Sequence, residues 1–284
     1  MKEHDFITII KKQTQSVFIG DDCAYLKDIE IVVTQDNFVQ NVHFKTEWAS
    51  PYQIGYKAAA VNVSDVLASG AKPKYLSIGL SLPNVDNFFV QEFYRGIKAG
   101  SYGAEVIGGD ITGSDKVFVS ITAIGDAKGR NISSRKNAKS GYIVIVSDEC
   151  GLSSVGLRDL LDNKRDTKEI LYHLEPPLNP SFSELIAKNV KEDYAMMDTS
   201  DGLADALFQI AKSSNVKIKT SDIKGMFGAE DYNLVAVIPE KYLNLVSNFK
   251  CIGKVFDFDG YYLEIDNKKY SRYEELGLYN HFEV

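Results

Sequence analysis

Aspartates in this chain recur directly after strand-like apolar runs, in Gly20-Asp21-Asp22, Thr34-Gln35-Asp36, Asn62-Val63-Ser64-Asp65, Gly108-Gly109-Asp110 and Asp198-Thr199-Ser200-Asp201-Gly202. A sheet fold gathers its strand ends, so such a series predicts several carboxylates meeting at one cleft. Converging carboxylates repel one another unless divalent cations or a cation-bridged polyphosphate lie between them. The pattern therefore implies a magnesium-nucleotide site. Any single Gly-Asp-Asp turn is explained by the turn preferences of Asp and Gly alone. The set Asp22, Asp36, Asp65, Asp110, Asp198 and Asp201 is not. Asp65 stands out because it interrupts an apolar stretch between Ala58 and Ala71, where a carboxylate is costly unless paired or metal-bound.

With 284 residues, the chain is long enough for two ordinary domains, each with its own core. Its 39 acidic and 32 basic residues leave a net charge of −7, which disfavours a broad nucleic-acid footprint but suits small anionic ligands carried by a metal. Cys23, Cys150 and Cys251 are far apart and without close Cys or His partners, so neither a disulfide framework nor a zinc site is indicated. The amino terminus lacks the apolar core of a secretory signal and no run reaches transmembrane length, so the expected compartment is the cytoplasm, with no membrane partner.

The periodicity predicts a short helix around Phe6 to Ile10, a strand at Val17 to Ile19 leading into the first Asp pair, and a buried strand from Ile29 to Thr34 that delivers Gln35 and Asp36 at its end. Ser50-Pro51 reads as a helix start, with the helix stopping at Gly70 and carrying Asp65 inside it. A strand from Tyr75 to Leu82, a helix from Asp86 to Tyr102, a Gly108-Gly109-Asp110 turn and a strand from Val117 to Ala127 follow. This order makes a first domain of residues 1–132. The second, 133–284, opens with a strand at Tyr142 to Val146, then helices around 153–161, 167–173 and 181–190. A strand from Tyr194 to Met197 leads into Asp198, and a helix from Leu203, three further strands and a hairpin turning at Asp266-Asn267 complete a mixed sheet. The expected class is α/β (α+β), with mixed sheets packed with helices.

No Gly-x-x-x-x-Gly-Lys-Ser/Thr loop, Rossmann glycine fingerprint or protein-kinase signature is present, so any nucleotide must be held another way. The segments that carry a likeness are Ile19-Gly20-Asp21-Asp22-Cys23-Ala24, Asp36 through Val42-His43-Phe44, Lys57 through Asp65, Gly70-Ala71-Lys72-Pro73 and Gly108-Gly109-Asp110. They continue through Asp198 to Leu203, Gly228-Ala229-Glu230-Asp231-Tyr232, Ile252-Gly253 and Tyr279-Asn280-His281-Phe282. In that order the chain resembles, nearly end to end, the thiamine-monophosphate kinases of the PurM-like superfamily, which also holds aminoimidazole ribonucleotide synthetase and selenide water dikinase.

The resemblance implies ATP-dependent phosphorylation of thiamine monophosphate to the diphosphate, with Mg2+ ions bridging carboxylates and ATP phosphates. It also implies a homodimer formed by the amino-terminal domain, with the nucleotide near that interface. Carried over residue by residue, Asp22, Thr34, Asp36, Asp65, Asp110, Asp198 and Asp201 hold metal, and Gly109, Asp110, Arg135 and Ser200 touch ATP. His43, Glu230 and Tyr279 meet the acceptor, where a carboxylate and aromatics suit a cationic planar ring. Without the resemblance, His43 reads equally as a loop histidine, Glu230 as a turn acid, Tyr279 as a tail anchor and Arg135 as a solvated linker residue. No catalytic general base is expected, because a phosphate acceptor is already anionic.

The chain departs from the family at Gln35, where a metal-contacting threonine is usual, at Ile111 and Gly113 after Gly-Gly-Asp, and at Ala229. The segment from Lys219 to Gly225 is shorter than its counterpart by roughly twenty residues. Two other readings keep part of the pattern: a related ATP-dependent enzyme with another acceptor, and a nucleotide-binding subunit without turnover. Cys23 lies after the Asp pair and not on a glycine-rich amino-terminal loop before it, which argues against the dikinase.

Overall fold

Two sheets account for the strands among the described residues. The computed structural model describes residues 3–84 and 86–278. The first part runs α1 (Glu3–Thr14), β1 (Ala24–Leu26), β2 (Ile31–Val39), α2 (Pro51–Ala68), β3 (Lys72–Leu82), α3 (Asn87–Gly100), β4 (Glu105–Gly113) and β5 (Phe118–Asp126). The second runs β6 (Tyr142–Val146), α4 (Leu152–Leu161), α5 (Lys168–Leu174), α6 (Pro180–Asn189), β7 (Ala195–Asp198), α7 (Leu203–Ser214), β8 (Val216–Thr220), β9 (Leu234–Pro239), β10 (Lys250–Asp257), β11 (Leu263–Ile265) and β12 (Lys268–Tyr270). The five-stranded sheet has the order β1-β2-β5-β3-β4 and the seven-stranded sheet β12-β11-β8-β10-β6-β9-β7. Each mixes one parallel pair, β3 with β4 and β11 with β8, into otherwise antiparallel neighbours. The architecture is the expected α/β one, two mixed sheets packed with helices.

Helix α2 organises the first part. Ser50 caps it by accepting from Gln53 N while the Gln53 side chain takes the Ser50 N–H, and Pro51 occupies the first turn. Its small residues allow close packing: a Cβ on Gly55 would lie 2.0 Å from Phe93 O, and one on Gly96 of α3 would lie 1.9 Å from Tyr52 O. With α2 buried on almost every side, its core merges with that of the second part, where Ile54 and Phe93 belong to one cluster with Phe182 and Tyr194.

Strand register decides which carboxylates share a face. Asp36, Ile121, Ile78 and Gly109 form one row across the sheet, and Asn37, Ser120, Gly79 and Asp110 form the next. Successive rows point to opposite faces. Thr34 and Asp36 therefore share the face of Val32 and Phe38, against α2, whereas Asp110 lies on the other face.

Three local expectations are corrected. β2 does not stop at Thr34: Phe38 is buried and pairing with β5 continues to Val39↔Phe118, so Gln35 and Asp36 lie within the strand. Gly108-Gly109-Asp110 is not a turn but the middle of β4, where glycine lets the backbones approach; a Cβ on Gly109 would sit 1.8 Å from Ile78 O. Val17 to Ile19 forms no strand, Val17 being 85% exposed, and only an isolated bridge joins Ile19 to Asp21.

Candidate active site

Three carboxylates converge from three elements: Asp22 from the turn before β1, Asp65 from α2 and Asp198 from the end of β7. One oxygen of each lies within 4.8 Å of the others. Burial pushes all three carboxyls up. Asp65 is held well above the carboxylate range by burial and then by Asp36, Asp198 and Asp22. Asp198 is pushed up to about 7 by burial and next by Asp22. Asp22 is raised by burial, against the pull of Arg135.

Each acid has a protein partner on one side. Thr34 Oγ1 donates to Asp65 Oδ2 at 2.7 Å, Ser64 Oγ to Asp198 Oδ2 at 2.6 Å, and Arg135 Nη2 to Asp22 Oδ1 at 2.5 Å. The remaining oxygens form an all-oxygen donor set with a deficit of positive charge, which fits a hard divalent cation such as Mg2+ and not a thiolate- or imidazole-seeking metal. Asp36 is exposed on β2 beside them. Its N–H donates to Asn62 Oδ1 at 3.0 Å, and Asn62 in turn is tied to Ala58 O, which pins the strand to α2.

The paired acids of Gly20-Asp21-Asp22 divide their work. Asp21 accepts from Ser134 Oγ at 2.9 Å and from Arg135 N at 2.8 Å, fixing the connecting loop, while Asp22 faces the Arg135 guanidinium. Arg135 keeps a buried Nε without a hydrogen bond among the described residues. Ser200 N lies 3.4 Å from Asp198 Oδ1, and Ser200 O accepts from Glu230 N at 2.6 Å. Asp201 is exposed in the same loop. A cavity of about 140 Å3 opens beside Asp22, bordered by Phe18, Tyr25, Ser69 and Ser133.

Glu230 sits at a second focus. Its backbone is left-handed, with φ 64°, as is that of Tyr232, φ 54°, although neither is glycine. Asp231 between them accepts from Gly151 N at 2.5 Å and Ser153 N at 2.9 Å at the start of α4, which holds the loop in that strained form. Glu230 Oε1 is 3.4 Å from Lys57 Nζ and Oε2 is 3.6 Å from His173 Nδ1. Burial would raise the Glu230 carboxyl, but the Lys57 charge holds it below its usual value. His43, whose Nδ1 accepts from Val39 N at 3.0 Å and whose ring stacks on Phe38, borders the same narrow pocket as Trp48, Lys57 and His173.

The expected residues thus fall into groups. Asp22, Asp65 and Asp198 meet, with Thr34 and Arg135 bonded to them and Asp36 adjoining. Glu230 and His43 stand together elsewhere. Gly109 and Asp110 are on β4 at the outer edge of the sheet, three strand spacings or about 14 Å from β2. Tyr279 lies outside the described residues. Gln35, the variant position, turns its amide to the opposite face, where it donates to Ser120 Oγ and accepts from Thr122 Oγ1. Sequence reasoning missed Ser64, Asn62, Lys57, Asp21 and His173. The first three lie in the quoted Lys57-to-Asp65 run, and helical spacing places Lys57 two turns from Asp65 on one face. His173 carries no local signal.

Residues 20–127 match the family described as "AIR synthase related protein, N-terminal domain". The fold and the acidic cleft thus define a PurM-like protein. The thiamine-monophosphate kinase of Aquifex aeolicus is 32% identical over 94% of this chain and 95% of its own length, and that of Bacillus subtilis is 32% identical over 84% of each. The solved structure described as "AaThiL complexed with AMPPCP and TMP" superposes with a TM-score of 0.88 at 32% identity, covering 99% of this chain and 97% of that one. The chain belongs to the thiamine-monophosphate kinase family. A hydrogenase maturation protein, HypE in its complex with HypF, shares the fold at 21% identity with a TM-score of 0.71.

Proposed function

We propose that this chain transfers the γ-phosphoryl group of ATP directly to the phosphate of thiamine monophosphate, giving thiamine diphosphate. The observation that carries the reading is the meeting of Asp22, Asp65 and Asp198 within 4.8 Å. Two anions must be brought together in this reaction, so positioning and charge screening matter more than proton removal. Magnesium ions held by Asp22, Asp65 and Asp198, with Thr34, Asp36 and Asp201 at their margin, would supply that screening when bound. Arg135, already fixed against Asp22, offers its spare guanidinium edge to ATP phosphates, and Ser200 borders the same acids. The acceptor's organic part is assigned to Glu230 and His43, with Tyr279 as a third contact.

Gly109 and Asp110 enter the site through a second copy of the chain. All nine residues of β4 are exposed, Ile107 and Ile111 at 54% and 60%, and an apolar strand left open at a sheet edge is a template for pairing. We therefore propose a homodimer joined through the first sheet. The domain division is placed at 132/133, between the last strand of one sheet and the first of the other. No helix among the described residues is long and apolar enough to cross a membrane, and the proposed compartment is the cytoplasm.

The test is product analysis after incubating purified protein with ATP, magnesium and thiamine monophosphate. Thiamine diphosphate formed in proportion to ADP supports the reading. Nucleotide binding without any diphosphate product refutes it.

A further inference from the structure

Lys57 is 2% exposed, and its Nζ makes no hydrogen bond among the described residues. Its nearest opposite charge is Glu230 Oε1 at 3.4 Å, an ion pair longer than a well-formed hydrogen bond. A buried ammonium in this state is costly, because desolvation is repaid by a single carboxylate. Lysine could be replaced here by an apolar residue of similar length with less penalty, so packing alone does not account for it.

The surroundings explain what it does. Lys57 stands on α2, two turns or about 12 Å from Asp65, so one rigid helix carries both foci of the site. Glu230 comes from the second part of the chain on a loop with two left-handed non-glycine residues. Ser153 Oγ is 2.9 Å from His173 Nδ1, which also faces Glu230 Oε2. Burial and the Lys57 charge lower the His173 value to about 4, leaving that ring neutral. The two oxygens of Glu230 are therefore treated differently, one facing a fixed cation and the other a neutral ring at the pocket that His43 and Trp48 border.

We propose that Lys57 is a positioning residue for the acceptor: it holds the Glu230 carboxylate at a set distance from the acidic cleft and balances its charge, so that Glu230 reads the acceptor by hydrogen bonding. This rests on the phosphotransfer reading above. Without Lys57, the strained loop has no charged anchor on α2, and the acceptor loses its register against the cleft.

The test is a double-mutant cycle on Lys57→Met and Glu230→Gln, read through KM for thiamine monophosphate, KM for ATP, and the fluorescence of Trp48, the only tryptophan, during titration with thiamine monophosphate alone. Lys57→Met is expected to raise the acceptor KM and the fluorescence Kd at least about tenfold. It should leave the KM for ATP within about twofold, and add less than about twofold when Glu230 is already Gln. An equal rise in both KM values, or a full tenfold loss in the Glu230→Gln background, overturns the proposal. If the single variant does not fold, Lys57→Met with Glu230→Gln, from which both charges are gone, is compared with Glu230→Gln alone and decides in the same way. Wild-type protein that forms no thiamine diphosphate refutes the transfer reading. A Trp48 quenching Kd raised at least about tenfold in Lys57→Met, but by less than about twofold when that change is added to Glu230→Gln, upholds the positioning role even then.

Discussion

Ser64 Oγ donates to Asp198 Oδ2 at 2.6 Å although the two residues are 134 positions apart. Its neighbour Asp65 faces the same cleft, so two consecutive residues of α2 supply one acid and the hydroxyl that steadies another. Removing the hydroxyl leaves a buried carboxylate short of a donor. Ser64→Ala should lower stability by about 1–3 kcal/mol and reduce kcat without abolishing it. Denaturant melts and steady-state kinetics check both.

Asp65→Asn separates function from stability. It removes a buried carboxyl whose ionisation is opposed by burial and by Asp36, Asp198 and Asp22, so at alkaline pH the metal-free protein should melt at a higher temperature than wild type. The same change should remove most of the stabilisation given by magnesium and ATP, and reduce activity by at least about a hundredfold. Thermal melts with EDTA and with magnesium-ATP, beside a kinase assay, distinguish the two effects.

The raised acid values give stability a defined pH slope. Asp198 moves from an ordinary 3.8 to about 7 in the folded chain, so between these values the folded state binds more protons than the unfolded one. Stability of the metal-free protein from this group is thus highest at low pH, falls as pH rises toward 7 and is flat above it. His173, lowered to about 4, works in the opposite sense below its ordinary 6.5. Comparing wild type with Asp198→Asn in EDTA cancels the histidine. The variant's advantage should grow from pH 4 to 7 and then level off.

Arg135→Met takes away the cation that faces Asp22 and the spare donor edge beside it. The expected result is a rise of about tenfold or more in KM for ATP, with KM for thiamine monophosphate changed far less. Competition by a non-hydrolysable ATP analogue gives the same answer without turnover.

Ile111→Lys places a charge on the exposed face of β4, where the second copy is proposed to pair. Sedimentation should then report a monomer with little activity, at a melting temperature close to that of the monomeric wild-type fold. A dimer of undiminished activity would refute the pairing.

Much of this architecture was legible because local rules and tertiary demands agree. The Ser50-Pro51 start and Gly70 stop of α2, the strand at Tyr142–Val146 and the hairpin at Asp266-Asn267 each follow from capping, pattern or turn chemistry. The sequence reads Asp36 at a strand end and Asp110 on a turn because glycine and acids usually end strands. Here, pairing with β5 and β3 carries both strands onward. The joining of Asp22, Asp65 and Asp198 was readable only as a set, since nothing local brings residues so distant together. Lys57 stands in the quoted run, but its burial was not readable, because a lysine among alanines reads as a solvent-facing helix residue and its cover comes from a loop 173 positions later; His173 carries no local signal.

The acidic trio draws two members from before residue 66 and one from residue 198. A polypeptide still emerging from the ribosome therefore carries at most two of the three acids, and the trio closes only when the later-made portion has docked.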